Sequence, residues 1–309
     1  MKCSTFFSLL LSVAALLPHT LAQSWFDLRP EDLRDKINQK ILSIEAPTPE
    51  VFSTQDLIVQ NQERKTPVRL YTPKEGNHFP VILLIHGGAW VAGNIATHDN
   101  LARYLCAETQ AVVISVDYAN SPEGKYPLPL EQCYDALNWI AKKNLKDLAD
   151  PSKIAVVGDS AGGNMAAALC LMVRDRNGPK PLLQVLINPA LDLSCNGSLE
   201  RKDDPLDTLR YQAVQYLSNP DEAKLPYVSP LLANDLSRLP PALVILAEKD
   251  DLREGGQQYA HRLSNAEVPT QVFCQKDIGH LAGDGARASL RARESLDVAA
   301  SALRKAFSK

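Results

Sequence analysis

A serine lies at the centre of a glycine-rich segment, Gly158-Asp159-Ser160-Ala161-Gly162-Gly163. An aliphatic run at 154–157 precedes this segment, and small residues with a helical pattern follow it at 164–173. Where a strand turns sharply into a helix, small residues two positions before and after the turn let the two elements approach each other. The pattern predicts that Ser160 is an exposed nucleophile, with the N–H of Ala161 and the positive end of the helix beside its hydroxyl.

A second glycine-rich segment, His86-Gly87-Gly88-Ala89-Trp90, follows the aliphatic run at 81–85. Residues with little or no side chain let main-chain N–H groups reach a substrate oxygen, so Gly87, Gly88 and Ala89 are predicted donors to an oxyanion. A serine between glycines also occurs in ordinary turns, but the strand before each of these two segments favours a catalytic interpretation. His86 is interpreted as a residue that fixes the loop by hydrogen bonding, not as a catalytic one.

Two further residues complete a candidate catalytic triad. Asp250 comes after the aliphatic run at 242–246, and His280 comes after the run at 270–273. The carboxyl ends of parallel strands lie at one edge of the sheet, where α/β proteins place their sites. The chain order serine, acid, histidine fits a histidine that takes the serine proton and an acid that orients the histidine. On position alone, Asp251 competes with its neighbour for the role of the acid.

Eight aliphatic or β-branched runs alternate with helical patterns along the chain. These candidate strands lie at 56–60, 68–71, 81–85, 111–116, 154–157, 183–187, 242–246 and 270–273. From the third run onward the pattern is continuously apolar, as in parallel strands that are covered on both faces. The first two runs alternate and are expected to be antiparallel edge strands. We therefore predict an α/β fold with an eight-stranded, mostly parallel sheet, helices on both faces and a helical lid.

Two segments break the alternation of strands and helices. In the first, 24–46, Leu33, Ile37 and Ile41 are spaced four apart and predict an amphipathic helix, which two prolines would end. The second, 194–235, is too long for an ordinary connection. Both are expected to form a lid over the site, although a simple packing helix explains the first pattern equally well. The lid interpretation provides candidate pocket walls at Trp25, Phe26, Trp90, Leu206, Tyr211, Tyr216 and Leu217.

The first 22 residues carry a positive charge at Lys2, then an apolar stretch, and then a small-residue site that ends at Ala22. This is the pattern of a signal peptide, so we expect a secreted or periplasmic protein whose single catalytic domain spans 23–309. The apolar stretch is shorter than the roughly 20 residues that a bilayer span needs, and no stable membrane insertion is expected. An uncleaved anchor and a buried first helix are the alternatives.

Charge and cysteine content narrow the classes of partner. The 309 residues carry a net charge of −3, and no basic run is interleaved with aromatic residues, so no nucleic-acid partner is expected. The cysteines are widely spaced, and no C-x-x-C pair suggests a metal site. Cys133 and Cys170, on apolar helix patterns, are interpreted as buried small hydrophobic residues. The sequence leaves open the oligomeric state and any disulfide pairing among Cys106, Cys133, Cys170, Cys195 and Cys274.

These motifs resemble the hormone-sensitive lipase family of esterases and its arylacetamide-deacetylase-like relatives, over nearly the whole mature chain. Besides the two glycine-rich segments, the resemblance rests on Asp117-Tyr118 to Ser121-Pro122-Glu123, Ser229-Pro230-Leu231-Leu232 and Ala247-Glu248-Lys249-Asp250-Asp251-Leu252. It implies an α/β-hydrolase fold, and it favours Asp250 because the family's acid precedes a position usually held by proline, here Asp251. The chain departs from the family at Ala89, which replaces the usual third glycine, and after His280, where Leu281-Ala282-Gly283 replaces the usual glycine and phenylalanine.

The resemblance and the triad together imply a serine hydrolase that cleaves carboxylic esters of short to medium acyl chains through an acyl-enzyme. This chemistry requires no metal and no cofactor, and the expected partner is a small-molecule ester. An amidase or deacetylase on the same triad is the alternative, because a triad does not choose between ester and amide. A non-catalytic binding protein on this fold would show a lost triad member, whereas all three are present here.

Overall fold

The computed structural model describes residues 29–142, 144–145, 147–194 and 208–308. The predicted signal peptide at 1–22 lies outside these residues, as do Trp25, Phe26, Cys195 and Leu206. A single sheet of eight strands runs through the described chain in the order β1-β2-β4-β3-β5-β6-β7-β8. Its strands are β1 (Ser53–Asn61), β2 (Arg64–Thr72), β3 (Phe79–Ile85), β4 (Val112–Val116), β5 (Ala149–Asp159), β6 (Leu183–Ile187), β7 (Ala242–Ala247) and β8 (Thr270–Gln275).

All eight predicted strands are present, and the sheet is mostly parallel as predicted. The two antiparallel pairings join β1 to β2 and β2 to β4, and all other neighbours run parallel. Two details of the prediction are wrong. β2 is not an edge strand, because it lies between β1 and β4. β8 is not buried on both sides, because it forms the far edge of the sheet, where Val272 is 51% exposed.

Helices cover both faces of the sheet, as the doubly wound pattern predicted. The eight α-helices of the described chain are α1 (Pro30–Leu42), α2 (Asp99–Thr109), α3 (Leu128–Ala141), α4 (Ala161–Asp175), α5 (Thr208–Tyr216), α6 (Arg253–Asn265), α7 (Ala282–Ala286) and α8 (Arg293–Phe307). α3, α4 and α6 belong to the core on one face, and α2 and α8 to the core on the other. None of the helices in this part of the chain is both long and apolar enough to cross a bilayer.

Alternation along each strand builds the two cores. In β3, Leu83 and Ile85 belong to one core, whereas Ile82 and Leu84 belong to the other. Successive side chains of a strand point to opposite faces, so a continuously apolar strand supplies both cores at once. Each of these four side chains is fully buried. This packing holds the carboxyl ends of β3, β5, β7 and β8 at one edge of the sheet, where the loops that carry the candidate site begin.

The predicted lid segments contain helices. α1 begins at Pro30 and ends at Leu42, several residues before the prolines that the sequence pattern suggested as its end. Its buried Leu33 packs with Val91, Ala92 and Tyr211, so α1 lies against the loop that follows β3. The second segment contains α5 and two short 3-10 helices, Pro220–Lys224 and Pro230–Leu232. The lid boundaries themselves stay predictions.

Four of the cysteines lie in the described chain, and each is a free thiol: Cys106, Cys133, Cys170 and Cys274. Cys133 and Cys170 are fully buried in the same core, which confirms their interpretation as small hydrophobic residues. Burial raises the pKa of both thiols above the ordinary value, so neither is a reactive thiolate near neutral pH.

Candidate active site

Ser160 lies on the sharp turn between β5 and α4, where the sequence motif predicted an elbow. Its φ of 54° and ψ of −116° are unusual for a residue with a side chain, and its N–H donates to the carbonyl of Ile187 at 2.8 Å. A Cβ on Gly158 would collide with the main chain of Gly162, and a Cβ on Gly162 would collide with the carbonyl of Ile85. The two glycines are therefore required for the close approach of strand and helix that holds Ser160 in this conformation.

His280 lies between Ser160 and Asp250. Its Nε2 is 3.0 Å from the Ser160 Oγ, and its Nδ1 is 2.8 Å from the Asp250 Oδ2. An ionised carboxylate can only accept, so the proton resides on Nδ1, and Nε2 is left to accept a proton from the serine hydroxyl. The three residues come from the loops after β5, β7 and β8. The structure thus brings the three predicted triad residues into hydrogen-bond contact.

Asp250 is held in place by groups other than His280. Its carboxylate is fully buried and accepts hydrogen bonds from the Asn188 Nδ2 at 2.8 Å and from the Leu252 N–H at 3.0 Å. A buried carboxylate needs such partners, because it has lost its hydration. The competing residue Asp251 is partly exposed. Because Asp250 forms the hydrogen bond to His280, the geometry favours Asp250 as the acid. The sequence did not single out Asn188, although it directly follows β6 and thus lies at the same edge of the sheet.

The local charges make His280 a stronger base. Burial alone would lower the pKa of His280, but the charge of Asp250 and its hydrogen bond, with smaller contributions from Asp159 and Asp251, outweigh burial and raise this pKa. The imidazole must be neutral to take the Ser160 proton, and its neutral fraction falls as pH falls through the raised pKa. Activity should therefore decline on the acid side at a higher pH than an ordinary histidine would give.

This shift predicts the shape of the pH profile. We expect kcat/KM for a neutral ester to show an acid limb with its midpoint above about 6.5, the ordinary histidine value. Asp251→Asn should move the midpoint down only slightly, since the charge of Asp251 contributes less than that of Asp250. Initial rates from pH 4.5 to 9 measure this, and tryptophan fluorescence over the same range shows whether the enzyme stays folded. A wild-type midpoint at or below that of a free histidine contradicts the prediction.

The N–H groups of the loop after β3 are not equivalent. The Gly87 N–H donates to the Asp159 Oδ1 at 2.9 Å, and the Nε2 of His98 lies 3.2 Å from the same nitrogen. The Gly87 N–H is therefore engaged inside the protein, and its prediction as an oxyanion donor is wrong. By contrast, the N–H groups of the other three predicted donors have no acceptor among the described residues; these are Gly88, Ala89 and Ala161.

The conformation of this loop explains how an alanine can replace the family's third glycine. Gly88, Ala89 and Trp90 all have positive φ, at 128°, 57° and 60°. A left-handed conformation costs a residue with a side chain roughly 1–2 kcal/mol, and alanine has the smallest side chain that bears this cost. The Ala89 N–H is retained, so the departure from the family pattern leaves the predicted donor in place. Gly88 and Ala89 are partly exposed, whereas Gly87 and Trp90 on either side are buried.

Asp159, the residue before the serine, holds the loop after β3 by hydrogen bonds. Its carboxylate is buried and lies 3.3 Å from the Nε2 of His98, in addition to accepting the Gly87 N–H. Burial raises the pKa of Asp159, but His98, with His86 and Gly87, reverses this and leaves the pKa below the ordinary value. His98 is fully buried, and its contacts with Gly87 and Asp159 give it a structural role. The sequence pattern predicted no separate role for Asp159, which was only one residue of the serine motif.

His86 fixes the loop, as the sequence pattern predicted. Its Nδ1 lies 2.8 Å from the Gly87 carbonyl oxygen, and its ring stacks on Tyr118 with centroids 4.0 Å apart. The Tyr118 hydroxyl in turn donates to the His86 carbonyl at 2.8 Å. Burial, together with the nearby His98, lowers the pKa of His86 to about 3. A neutral buried ring fits a positioning role for His86 and does not fit a proton-transfer role near neutral pH.

The predicted substrate-binding residues are almost completely buried. This holds for Trp90, Tyr211, Tyr216 and Leu217. The Trp90 and Tyr216 rings stack with centroids 5.1 Å apart, and both belong to the same core as α4. Tyr211 packs against Leu33 of α1 instead. These side chains therefore pack in the protein interior, and direct contact between them and a substrate stays a prediction.

The available chemistry is that of a nucleophile and a base. The described residues contain no group of three or more His, Cys, Asp or Glu side chains that could hold a metal ion. The titratable groups near Ser160 are instead hydrogen-bonded to one another, with His280 next to the hydroxyl. A partly exposed serine, a base within reach and an orienting carboxylate are the arrangement that forms covalent acyl intermediates.

Comparisons with known proteins agree with this geometry. Residues 82–282 match the family model described as the alpha/beta hydrolase fold. The chain is similar to an arylesterase of Saccharolobus solfataricus, at 38% identity over 250 residues, which are 79% of this chain and 81% of that protein. It is also similar to an ethyl acetate hydrolase of Pseudomonas putida, at 31% identity over 263 residues, which are 82% of this chain and 83% of that protein.

Solved structures give the same result. A hyperthermophilic esterase from the archaeon Pyrobaculum calidifontis shares 35% of its sequence with this chain, superposes with a TM-score of 0.82, and is matched over 90% of this chain and 94% of its own. The similarity to known esterases in fold therefore extends over nearly the whole described chain, and the similarity in sequence over most of it. The resemblance to hormone-sensitive lipase-like esterases is confirmed, and the chain belongs to the alpha/beta hydrolase fold family.

Proposed function

We propose that this protein is a carboxylesterase that hydrolyses esters of short to medium acyl chains, with Ser160 as its nucleophile. The observation that carries the proposal is the continuous line of hydrogen bonds from Asp250 through His280 to Ser160. Relatives that are named as esterases, and that match most of the chain, support the same reaction. The substrate is a small-molecule ester.

The reaction proceeds in two halves. His280 takes the Ser160 proton on Nε2 while the serine oxygen bonds to the ester carbonyl carbon, and the N–H groups of Gly88, Ala89 and Ala161 hold the resulting oxyanion. The intermediate collapses, the carbon–oxygen bond to the alcohol breaks, and the alcohol leaves with the proton from His280. A water molecule then gives a proton to His280 and attacks the acyl carbon. The bond from that carbon to the serine oxygen breaks, His280 returns the proton to this oxygen, and the carboxylic acid is released.

The preference for short acyl groups rests on the buried apolar side chains of Trp90 and Tyr216 and on similarity to a protein named ethyl acetate hydrolase. A methylene that fits an apolar wall adds at best about 0.8 kcal/mol, whereas one that meets packed side chains costs about 1–3 kcal/mol. Trp90 and Tyr216 are stacked in a filled core, so the wall they support has little room to move.

A series of p-nitrophenyl esters from acetate to decanoate tests the proposal. We expect kcat/KM to rise modestly and then fall steeply, with the optimum between acetyl and about hexanoyl. The matching p-nitroanilides, measured in parallel, separate an esterase from an amidase, and the esters should be cleaved much faster. Rates that still increase at decanoate would refute the short-chain preference, and faster cleavage of the anilides would make the protein an amidase.

We further propose that residues 1–22 are a signal peptide that is removed near Ala22, and that the mature protein is secreted or periplasmic. The charged start, the short apolar stretch and the small residue before Gln23 support this. Expression of the full chain with separation of cell fractions, followed by N-terminal sequencing, should find a mature protein that begins near Gln23 outside the cytoplasm. Recovery of the extracytoplasmic protein with Met1 intact would contradict cleavage.

A further inference from the structure

The loop after β3 is also held by hydrogen bonds from the segment that follows β4. The Trp90 carbonyl accepts a hydrogen bond from the Ser121 N–H at 2.7 Å, and the Gly93 carbonyl accepts one from the Asn120 Nδ2 at 2.9 Å. Two other polar groups of this loop, the Val91 carbonyl and the Gly93 N–H, take no part in these bonds and need hydrogen-bond partners from another element. Because both groups are buried, leaving either unpaired would cost free energy.

Helix α1 supplies both of these partners. The Nε of Arg34 donates to the Val91 carbonyl at 2.7 Å, and the Oδ1 of Asn38 accepts from the Gly93 N–H at 2.9 Å. Residues four apart lie on one face of a helix, so Arg34 and Asn38 form one polar contact with the loop. Leu33, next to Arg34 in the chain, packs with Val91 and Ala92 of the loop and so helps to bring α1 against it.

Arg34 also ties the loop to a second segment. Its Nη2 donates to the buried Ser121 carbonyl at 2.9 Å and forms an ion pair with Glu123 at 2.6 Å. A guanidinium is planar and holds its donors in fixed directions, so one side chain sets the distance between the Val91 and Ser121 carbonyls. Lysine has no such fork and could not hold both carbonyls in the same geometry.

The other end of α1 reaches the segment after the candidate base. Ile41 and Ile44 approach Gly283 in α7, three residues after His280, and a Cβ on Gly283 would collide with Ile44. The absence of a side chain at Gly283 lets Ile44 come close. α1 therefore contacts both the loop of the oxyanion donors and the segment that follows His280.

On the basis of the function proposed above, we propose that Arg34 and Asn38 of helix α1 are positioning residues that hold Gly88 and Ala89 where the oxyanion forms. Neither side chain has to touch the substrate. Oxyanion donors act only when they lie about 2.7–3.1 Å from the position that the charged oxygen will occupy. A displacement of about 1 Å can cost up to about 100-fold in rate. Loss of either contact should therefore lower the rate of the chemical step and leave substrate binding nearly unchanged.

The test uses the full-length enzyme and five variants. Arg34→Met and Asn38→Leu remove the two contacts and keep similar side-chain size, while Lys36→Met and Gln39→Leu make the same kinds of change at exposed positions of α1. We expect kcat to fall about 10- to 100-fold in the first pair with KM within about twofold of the wild type, as for interactions made only in the transition state. The second pair should behave like the wild type. Arg34→Lys should not restore kcat.

A trifluoromethyl ketone provides a readout that packing alone would not move. It adds to the nucleophilic serine and forms a charged tetrahedral adduct. Its inhibition constant should therefore rise by the same factor by which kcat/KM falls. Full kcat in both variants, a raised KM with unchanged kcat, or a loss that only follows the unfolded fraction in thermal melts would overturn the inference. If Arg34→Met fails to fold, Asn38→Leu decides, because it removes a single hydrogen bond. A wild-type enzyme that cleaves no ester would overturn the proposed function itself.

Discussion

Replacement of Ser160 by alanine is expected to abolish ester hydrolysis and to leave the fold intact. The hydroxyl oxygen of Ser160 is the atom that bonds to the substrate, so its removal should lower kcat by about 10⁴-fold or more. Alanine keeps the Cβ, and the lost oxygen points to His280 rather than into a core, so no cavity is formed. Steady-state rates on p-nitrophenyl acetate measure the loss, and circular dichroism with thermal melts shows whether the fold is kept.

The matched control for this variant is Ser301→Ala. Ser301 lies on the exposed side of α8, and the same loss of one oxygen there should change neither the rate nor the melting temperature. Hydrolysis close to the wild-type rate in Ser160→Ala would show that another residue is the nucleophile. A large drop in the melting temperature would instead give Ser160 a structural role that the geometry of the elbow does not predict.

Asp250→Asn should have the second-largest effect, a loss of about 10⁴-fold in kcat. Asp250 accepts on one oxygen both from His280 and from Asn188, and an asparagine presents only one accepting oxygen. Its amide would compete for these positions and favour the wrong tautomer of His280. The variant also removes the charge that contributes most to the raised pKa of His280, so its acid limb should move to lower pH.

Asp251→Asn is the control for this second prediction, because it makes the same chemical change one residue further along the chain. Asp251 is partly exposed, and its charge contributes less to the pKa of His280 than that of Asp250 does. We therefore expect only a small loss of kcat from Asp251→Asn. If the two variants showed the reverse order, Asp251 would be the acid of the triad.

The strands and the triad positions could be predicted because both follow from short-range patterns. Apolar runs show where β5, β7 and β8 end, and the carboxyl-end rule then places Ser160, Asp250 and His280 at one edge. Which strand lies next to which is not a local property, so the patterns failed for β2, which is inside the sheet, and for β8, which is at its edge.

The support of the site was harder to predict, because it depends on contacts between distant segments. The sequence pattern predicted Gly87 as an oxyanion donor. In the folded chain, however, its N–H donates a hydrogen bond to Asp159, which is 72 residues away. Arg34 binds main-chain carbonyls, which carry no side-chain signature, so no pattern could have identified its role. Asn188 did have a signal, since it follows β6 at the same edge as the triad.

The central claim, that Ser160 forms the covalent bond to the substrate, is tested most directly by labelling with a p-nitrophenyl phosphonate. The reagent transfers its phosphonyl group to an activated serine, and p-nitrophenol is the leaving group. We expect one adduct per chain, release of one equivalent of p-nitrophenol in step with the loss of esterase activity, and peptide mass spectra that place the adduct on Ser160. Complete inactivation with Ser160 unmodified, or an adduct on another residue, would contradict the claim.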